Sequence, residues 1–579
     1  MAEPTDTTEL PPLPPRARRF HPAYAVDPID EEFAGSALGP GPTEQSRRIG
    51  RSTAFFSIAT GASRLVGLIR EIIAAGYFGV GPAMSAFTIA FQIPNLVRSL
   101  FADAALQGAF VPVFTEQLES GNKREAFRLA STLIFLITAV LGVITALFIL
   151  VAPFLIPLLV PGLDDTTQDL TVVLSQLLFP ILVMLGLSGV VVGVLNSYNR
   201  FAVFAIAPLF WNLAIIGVLV ALSPMFSGDD RIYAYAIGVL VGTALQLAMV
   251  SWDLRNTPFK MVRVFEWRSG LVKKVLLLML PVTISLGLIN VNLVINSLVG
   301  ALVPGTLAGT DQALANYAPA AIDKAFRIYM LPQGVFAVAL ATVLFPTFSR
   351  LATRRDLDGL RAVQGSGTRQ MLLLLVPCAA LMLVLSEPIT RIVYQRGEFD
   401  AAQTDIVAEA LFFFALSLPF AGVNLILIRT FFSLQLPWRP TQIALANLGV
   451  NAGLDALLYK PMGVGGITLA TAIVSLVTSV ALAAALRGQL GGVDMAHTVR
   501  AGIRISIAGA ACAAVALGVR EALSGLGDGL GEQTALVLAA SGAGLAVYAA
   551  IVLAARVEEA HQISALVRQQ WARLRGTET

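Results

Sequence analysis

Apolar residues in this chain gather into long runs separated by short polar connectors, and that alternation governs most of its 579 residues. A helix needs about 20 apolar residues to cross the hydrocarbon core of a bilayer. Runs of that length lie near 53–79, 83–113, 126–151, 168–198, 202–222, 231–252, 272–302, 312–346, 366–386, 404–433, 438–459, 464–486, 498–520 and 534–555. The pattern predicts an all-α polytopic membrane protein with about 14 transmembrane helices. The charged first, second and eighth runs are expected to fail a strict hydropathy threshold. Residues 1–50 break the pattern, with nine prolines and no apolar core. They read as a disordered proline-rich cytoplasmic tail, and 557–579 as a second cytoplasmic tail.

Composition agrees. Hydrophobic residues make up 56% and charged residues 13%, against about a quarter charged in soluble domains. Cys378 and Cys512 both fall in apolar runs, so no disulfide framework is implied, and no cleavable signal peptide is visible. Placing the N-terminus in the cytoplasm puts 29 of the 40 Lys and Arg residues in the tails and every second loop. The opposite loops hold five: Arg231, Arg391, Arg396, Lys460 and Arg520. That is the positive-inside skew, and it predicts two cytoplasmic termini. Six basic residues remain inside the runs: Arg64, Arg70, Arg98, Lys324, Arg327 and Arg429.

An internal duplication is also visible. Val111-Pro-Val-Phe-Thr115 recurs as Phe345-Pro-Thr-Phe-Ser349, and Asn212-Leu213 as Asn447-Leu448, at offsets of 234 and 235 residues. The shared offset equals six spans. It predicts an N-lobe over 51–255 and a C-lobe over 256–490, in the same orientation, as in transporters that rock about a central site. Residues 491–556, the last two spans, fall outside the repeat.

A cation at bilayer depth costs about 2.5–3.5 kcal/mol on insertion scales, so six of them need a reason. In the first span Arg64 and Glu71 share a helical face across Gly67, while Arg70 stands about 120° away. Glu71 can orient one guanidinium and leave the other for a ligand. In the second span Pro94 precedes Asn95 and Arg98, with Asp103 beyond; the proline frees a carbonyl and makes room for water. In the eighth, Asp323 and Arg327 are spaced i,i+4 as an ion pair, Lys324 faces the same side, and Pro332 follows. Arg429 completes the set. These residues predict a wet, anion-seeking cavity, since arginine stays protonated and binds phosphate in a bidentate fork. The bland alternative is that Glu71, Asp103 and Asp323 merely pair with the cations to hold helices together. Lys324 and Arg429 have a further reading as snorkelling side chains. His21, His497 and His561 lie in tails or a loop, and no triad, metal-ligand cluster or phosphate-cradling glycine loop is present. Gly463-Val-Gly-Gly466 opens a helix and suits close helix packing.

Several segments resemble the MurJ/MviN family, flippases for the lipid-linked peptidoglycan precursor lipid II, over about residues 50–490. They are Ser63-Arg64-Leu-Val-Gly67-Leu-Ile-Arg70-Glu71, Phe91-Gln-Ile-Pro94-Asn95-Leu-Val-Arg98, Ala109-Phe110-Val-Pro112, Leu195-Asn196-Ser-Tyr-Asn199-Arg200-Phe201, Pro332-Gln-Gly334-Val-Phe-Ala-Val-Ala-Leu340 and Gln395-Arg396-Gly397-Glu-Phe399. The resemblance implies a fold of the multidrug/oligosaccharidyl-lipid/polysaccharide exporter superfamily, with two six-helix lobes around a cationic cavity and a final helix pair grooved for a lipid tail. It implies essential arginines at Arg64, Arg70, Arg98 and Arg327. The chain departs from the family at Ser85, Phe326 and Met330, where acids are common, and this puts the family's ion coupling in question.

The expected activity is translocation of lipid II, or a related undecaprenyl-diphosphate lipid, across the bacterial cytoplasmic membrane by alternating access about Pro94 and Pro332. Membrane lipids and cell-wall synthesis proteins are the expected partners, with no nucleic acid, cofactor or metal. The membrane potential or a monovalent cation is the expected energy source. A flippase for another polyprenyl-diphosphate oligosaccharide and a non-transporting scaffold for cell-wall synthases are the competing readings; an enzyme is disfavoured by the histidine-poor interior.

Overall fold

The computed structural model describes residues 42–101, 104–492, 495–525, 527 and 529–561, without the side chains of 42–58, 98–101, 104–108, 280–289 and 495. The first half of the chain forms α1 (Pro42–Phe78), α2 (Pro82–Phe101), α3 (Ala104–Glu119), α4 (Lys123–Leu159), α5 (Asp165–Leu178), α6 (Ile181–Ser197), α7 (Ala202–Leu222) and α8 (Arg231–Leu254). The second half forms α9 (Gly270–Gly300), α10 (Ala318–Pro332), a π-helical turn (Gln333–Ala337), α11 (Val338–Thr353), α12 (Leu357–Tyr394), α13 (Ala401–Ser433) and α14 (Trp438–Leu490). Two helices follow, α15 (Met495–Ala522) and α16 (Leu530–Ala554).

Among the described residues, ten helical stretches are long and apolar enough to cross a membrane. The eighth predicted span, Ala318–Thr353, is one of them despite its charges, because the apolar α11 outweighs Asp323, Lys324 and Arg327. Another is the 53-residue α14, whose helix is interrupted at Gly463 (φ 56°, ψ −133°). That left-handed residue turns the chain back on itself: Asn447 of the first leg donates to Thr478 Oγ1 of the second at 2.7 Å. A side chain at Gly466 would strike the backbone of Leu458, so the glycine cluster serves the reversal as well as close packing. The fourth predicted span is divided into α5 and α6 by a turn at Phe179 and Pro180; the two residues between α2 and α3 in the second, 102 and 103, lie outside the described residues. The helix α1 begins at Pro42, inside the stretch predicted to be a disordered tail; residues 1–41 lie outside the described residues.

The duplication is repeated in the register of the helices. α2, α4, α5 and α7 start at residues 82, 123, 165 and 202, and α10, α12, α13 and α14 start at 318, 357, 401 and 438. The same cap recurs: Asp164 accepts from Thr167 N at 2.7 Å to open α5, and Asp400 accepts from Gln403 N at 2.8 Å to open α13, each satisfying an amide that the first helical turn leaves unpaired.

The end bearing Asp164, Arg231 and Arg396, outermost by the charge skew, holds the two halves together. Glu398 N donates to Gly76 O at 3.0 Å, Val80 N to Gln403 Oε1 at 2.8 Å, Ala320 N to Ser85 Oγ at 3.3 Å, and Asp164 and Asn316 bond reciprocally. One hydrophobic core runs through this end, uniting Phe87 and Tyr235 with Tyr317, Ile322 and Phe414. Toward the inner end the faces are barer. Arg64, Leu65 and Ile69 of α1, and Met330, Val335 and Val343 of the α10–α11 rod, are exposed. α9 serves both halves: its inner end packs with Phe110, Ala126 and Leu129, while Asn296 near its outer end meets Asn451 and Thr471 of α14.

α15 and α16 pack on α12 through Leu373, Ala380, Ile505, Cys512 and Tyr548. Arg520 Nη2 reaches Glu387 Oε2 at 2.5 Å, and Arg369 Nε reaches Glu559 Oε1 at 2.5 Å in a buried pair. The start of the predicted C-terminal tail is therefore docked on α12 rather than free.

Candidate functional site

The α1 helix carries Arg64, Gly67, Arg70 and Glu71, and the short α10 carries Asp323, Lys324 and Arg327. Glu71 joins them. Its Oε1 lies 2.5 Å from Arg70 Nη2 and its Oε2 lies 2.6 Å from Lys324 Nζ, with all three side chains buried. One carboxylate thus ties two cations, and through them the first half of the chain to the second. The guanidinium that Glu71 orients is that of its neighbour Arg70. Arg64, on Glu71's own helical face, lies two turns away, too far to pair once Lys324 supplies the second contact.

Aromatic rings close the cluster. Arg70 Cζ stands 4.8 Å from the centroid of Trp211 on α7, and Lys324 Nζ stands 5.7 Å from that of Tyr394 on α12. The Tyr394 hydroxyl donates to the Lys324 carbonyl at 3.3 Å. Lys324, with 1% of its surface exposed, does not snorkel; a charge-assisted pair and a ring face replace its water. Gly67 keeps α1 low where Asn212 of α7 crosses it.

The spacing that predicted a pair between Asp323 and Arg327 holds, with two contacts at 3.3 Å. Arg327 is still 38% exposed, so the pair leaves part of its fork accessible. Arg64 is exposed, makes no ion pair among the described residues, and rests its Nη1 against Gly334 in the π-helical turn. Among the described residues, Arg64, Arg70, Lys324 and Arg327 oppose only Glu71 and Asp323, leaving a formal charge of +2. Arg429 is half-buried, its Cζ 5.3 Å from the ring of Phe345, and stands apart from this group as an α13–α11 contact. The Arg98 side chain and Asp103 lie outside the described residues. Pro94 lies within an unbroken α2, with Asn95 half-buried beside it. Pro332 is followed at once by the π-helical turn, where its missing amide relaxes the helical ladder. Of the three positions that depart from the family, Ser85 accepts the bond from Ala320, Phe326 stacks with Tyr329 and meets Phe414 at a tilt, and Met330 is exposed.

A second polar cluster escaped the sequence reading. On α9 and the two legs of α14, Asn296, Asn451, Asp455 and Thr471 meet, and Asn292 lies one helical turn before Asn296. Asn451 Nδ2 donates to Asp455 Oδ2 at 2.7 Å, and Asn296 lies within 3.2 Å of Asn451 and 3.3 Å of Thr471. Asp455 is fully buried, and among the described residues it has no cationic partner and Asp455 Oδ1, Asn451 Oδ1 and Asn292 Oδ1 have no hydrogen bond. The cluster's signal in the sequence is Asp455, a lone acid in the apolar run 438–459. Carboxylate, amide and hydroxyl oxygens converging in this way suit a hard cation. A transition-metal site is another matter; no group of three or more His, Cys, Asp or Glu residues suited to a metal occurs among the described residues.

Two repeated helical halves joined at one end, with a surplus of cations among the described residues where α1 meets α10, fit a multi-pass membrane transporter. Comparison gives the family. Residues 74–529 match the model described as "Lipid II flippase MurJ", and the chain belongs to that family. Curated relatives include the "Probable lipid II flippase MurJ" of Rhizobium meliloti (strain 1021), 33% identical over 75% of this chain and 80% of the relative. The "Lipid II flippase MurJ" of Burkholderia cenocepacia (strain ATCC BAA-245) is 29% identical over 73% and 81%. Among solved structures, a lipid II flippase MurJ in an inward closed conformation superposes with a TM-score of 0.71 at 23% identity, covering 87% of this chain and 99% of that one. An inward-facing multidrug resistance MATE transporter of the MOP superfamily superposes with a TM-score of 0.62 at 15% identity, over 74% and 94%. At these identities the structures show the fold alone.

Proposed function

We propose that this chain carries lipid II, the cargo named for its relatives, from the inner to the outer leaflet of the bacterial cytoplasmic membrane by alternating access, with both termini in the cytoplasm and no catalytic step. The observation that carries the reading is Glu71, which holds Arg70 of one half and Lys324 of the other while Arg64 and Arg327 stay accessible beside them. A diphosphate entering from the barer inner side meets Arg64 and Arg327 first. Its negative charge then competes with Glu71 and Asp323 for the guanidinium groups. Loosening the tie between α1 and α10 favours a different arrangement of the halves, because a ligand shifts an equilibrium only by its differential affinity for the two states. The polyprenyl tail stays in lipid beside α15 and α16, and cell-wall synthesis proteins take the product.

Energy must bias the cycle. The membrane potential supplies about 2.3 kcal/mol per elementary charge per 100 mV. A monovalent cation is the other source, and Asp455, Asn451 and Asn292, whose oxygens lack partners, would hold it. A bound cation would supply the positive charge that the buried Asp455 carboxylate lacks.

The test uses Arg64→Ala and Arg327→Ala protein reconstituted with lipid II. Both should express and fold normally yet lose all measurable outward exposure of the lipid; transport at the wild-type rate by either overturns the reading. Complementation of a strain depleted of its precursor flippase separates lipid II from other polyprenyl-diphosphate cargoes.

A further inference from the structure

The outer junction holds a cavity of about 460 Å³ that no step above uses. We propose that it is an exit station, which receives the saccharide–peptide part of the headgroup after that part passes the central cations. The proposal rests on the transport reading and adds a second site to it.

Position is the first argument. Ile73 and Tyr77 of α1 line the cavity, and they follow Arg70 by three and seven residues, so they continue its face of the helix. At the helical rise of about 1.5 Å per residue, Tyr77 lies roughly 10 Å further out than Arg70. Cargo leaving the central cluster along α1 reaches this cavity next.

Charge is the second. Arg231 and Arg396 both line the cavity, and neither makes an ion pair among the described residues. Arg231 is the first residue of α8, where a cation opposes the positive end of the helix dipole; helix stability does not explain it there. Arg396 donates through Nη2 to the Ile392 carbonyl, which anchors its side chain beside the end of α12 and spends one of its five N–H groups.

The third argument is the company these arginines keep. Glu398 also lines the cavity, while its backbone amide bonds to Gly76 and helps close the junction between the halves. A site for a bare phosphate gains nothing from a carboxylate. Two guanidinium groups, a carboxylate, a phenol and aliphatic walls instead suit a peptide that carries carboxylates, a free amine and small apolar side chains. Because Arg231 and Tyr77 come from the first half and Arg396 and Glu398 from the second, a bound peptide would hold both sides of the junction.

The experiment measures binding of a water-soluble disaccharide-pentapeptide, lacking both lipid and diphosphate, to the purified full-length protein. Wild type should bind it, and Arg231→Gln/Arg396→Gln should bind at least tenfold more weakly with an unchanged melting temperature. Arg231→Lys/Arg396→Lys should recover part of the affinity. Equal affinity in wild type and the Gln variant, or no binding by wild type, overturns the proposal. The two readings fail separately. Lipid II transport by wild type with soluble-headgroup binding indifferent to the Gln variant removes the exit station alone. Absence of transport alongside binding that depends on Arg231 and Arg396 removes the transport reading and leaves the cavity as a peptide site.

Discussion

Two polar clusters lie inside this helical bundle, and they are built on opposite plans. In the first, Glu71 shares its two oxygens between Arg70 and Lys324, so the group carries a surplus positive charge and spans both halves of the chain. In the second, Asp455 lies between α9 and the two legs of α14, all in the second half, with acceptor oxygens left over and no cation beside them. Burial raises the cost of an unpaired charge in both places. The first cluster meets that cost with protein counter-charges and keeps further cations exposed nearby. The second does not meet it from within the protein. One is suited to an anion that competes for its cations and the other to a cation that completes its oxygens. The first ties the two halves by ion pairs and so reports its occupancy directly to the contact between them.

The largest expected effect breaks the first cluster. Glu71→Gln leaves Arg70 and Lys324 buried without a carboxylate, which should cost about 3–5 kcal/mol, seen as a lower melting temperature and a smaller folded yield in detergent. Adding Lys324→Met should recover much of the loss. A Glu71→Gln protein as stable as wild type would erase the distinction between the clusters. Asp455→Asn should behave differently. It removes a carboxylate without a cationic partner and keeps an oxygen to accept from Asn451, so stability should change by less than about 1 kcal/mol, while any dependence of transport or melting temperature on sodium or potassium concentration disappears. Retained cation dependence would assign the second cluster a purely structural role.

The smallest effect belongs to the outer junction. Burial, together with Asp230, Asp164 and Glu398, holds the Asp229 carboxyl above the ordinary carboxylate range. The folded protein therefore favours the protonated form. That contribution is fully present below the ordinary carboxylate pKa of about 4 and is lost as pH rises through the raised value. Asp229→Asn should accordingly stabilise the protein at pH 7 by less than about 1 kcal/mol, with the gain vanishing toward pH 4 in melting curves taken across that range. A gain constant with pH would show that repulsion among these acids is not its source.

Much of the architecture was legible in one dimension, because a bilayer imposes helices wherever a run is long and apolar. The offset between Asn212 and Asn447 foreshadowed helices that restart 234 to 236 residues later, and the i,i+4 spacing of Asp323 and Arg327 foreshadowed their pairing, since one helical turn brings such residues together without help from any other element. Partnerships between helices were not legible. The spacing of Lys324 suits a snorkelling side chain as well as a buried pair, and only the contact of α10 with Glu71 of α1 decides between them; nothing around Asp455 in the chain points to its neighbours on α9.

The amino-acid order by itself thus determined the helices, their repeat, the surplus of cations at bilayer depth and the local ion pair, all of which depend on residues within a few turns of one another. Only the tertiary structure decided that Glu71 serves Arg70 and Lys324 while Arg64 stays open, that Gly463 folds α14 into a hairpin, and that the halves close at the outer end. Each of these rests on contact between segments far apart in the chain, where the choice of partner is set by packing and desolvation of the whole bundle rather than by spacing.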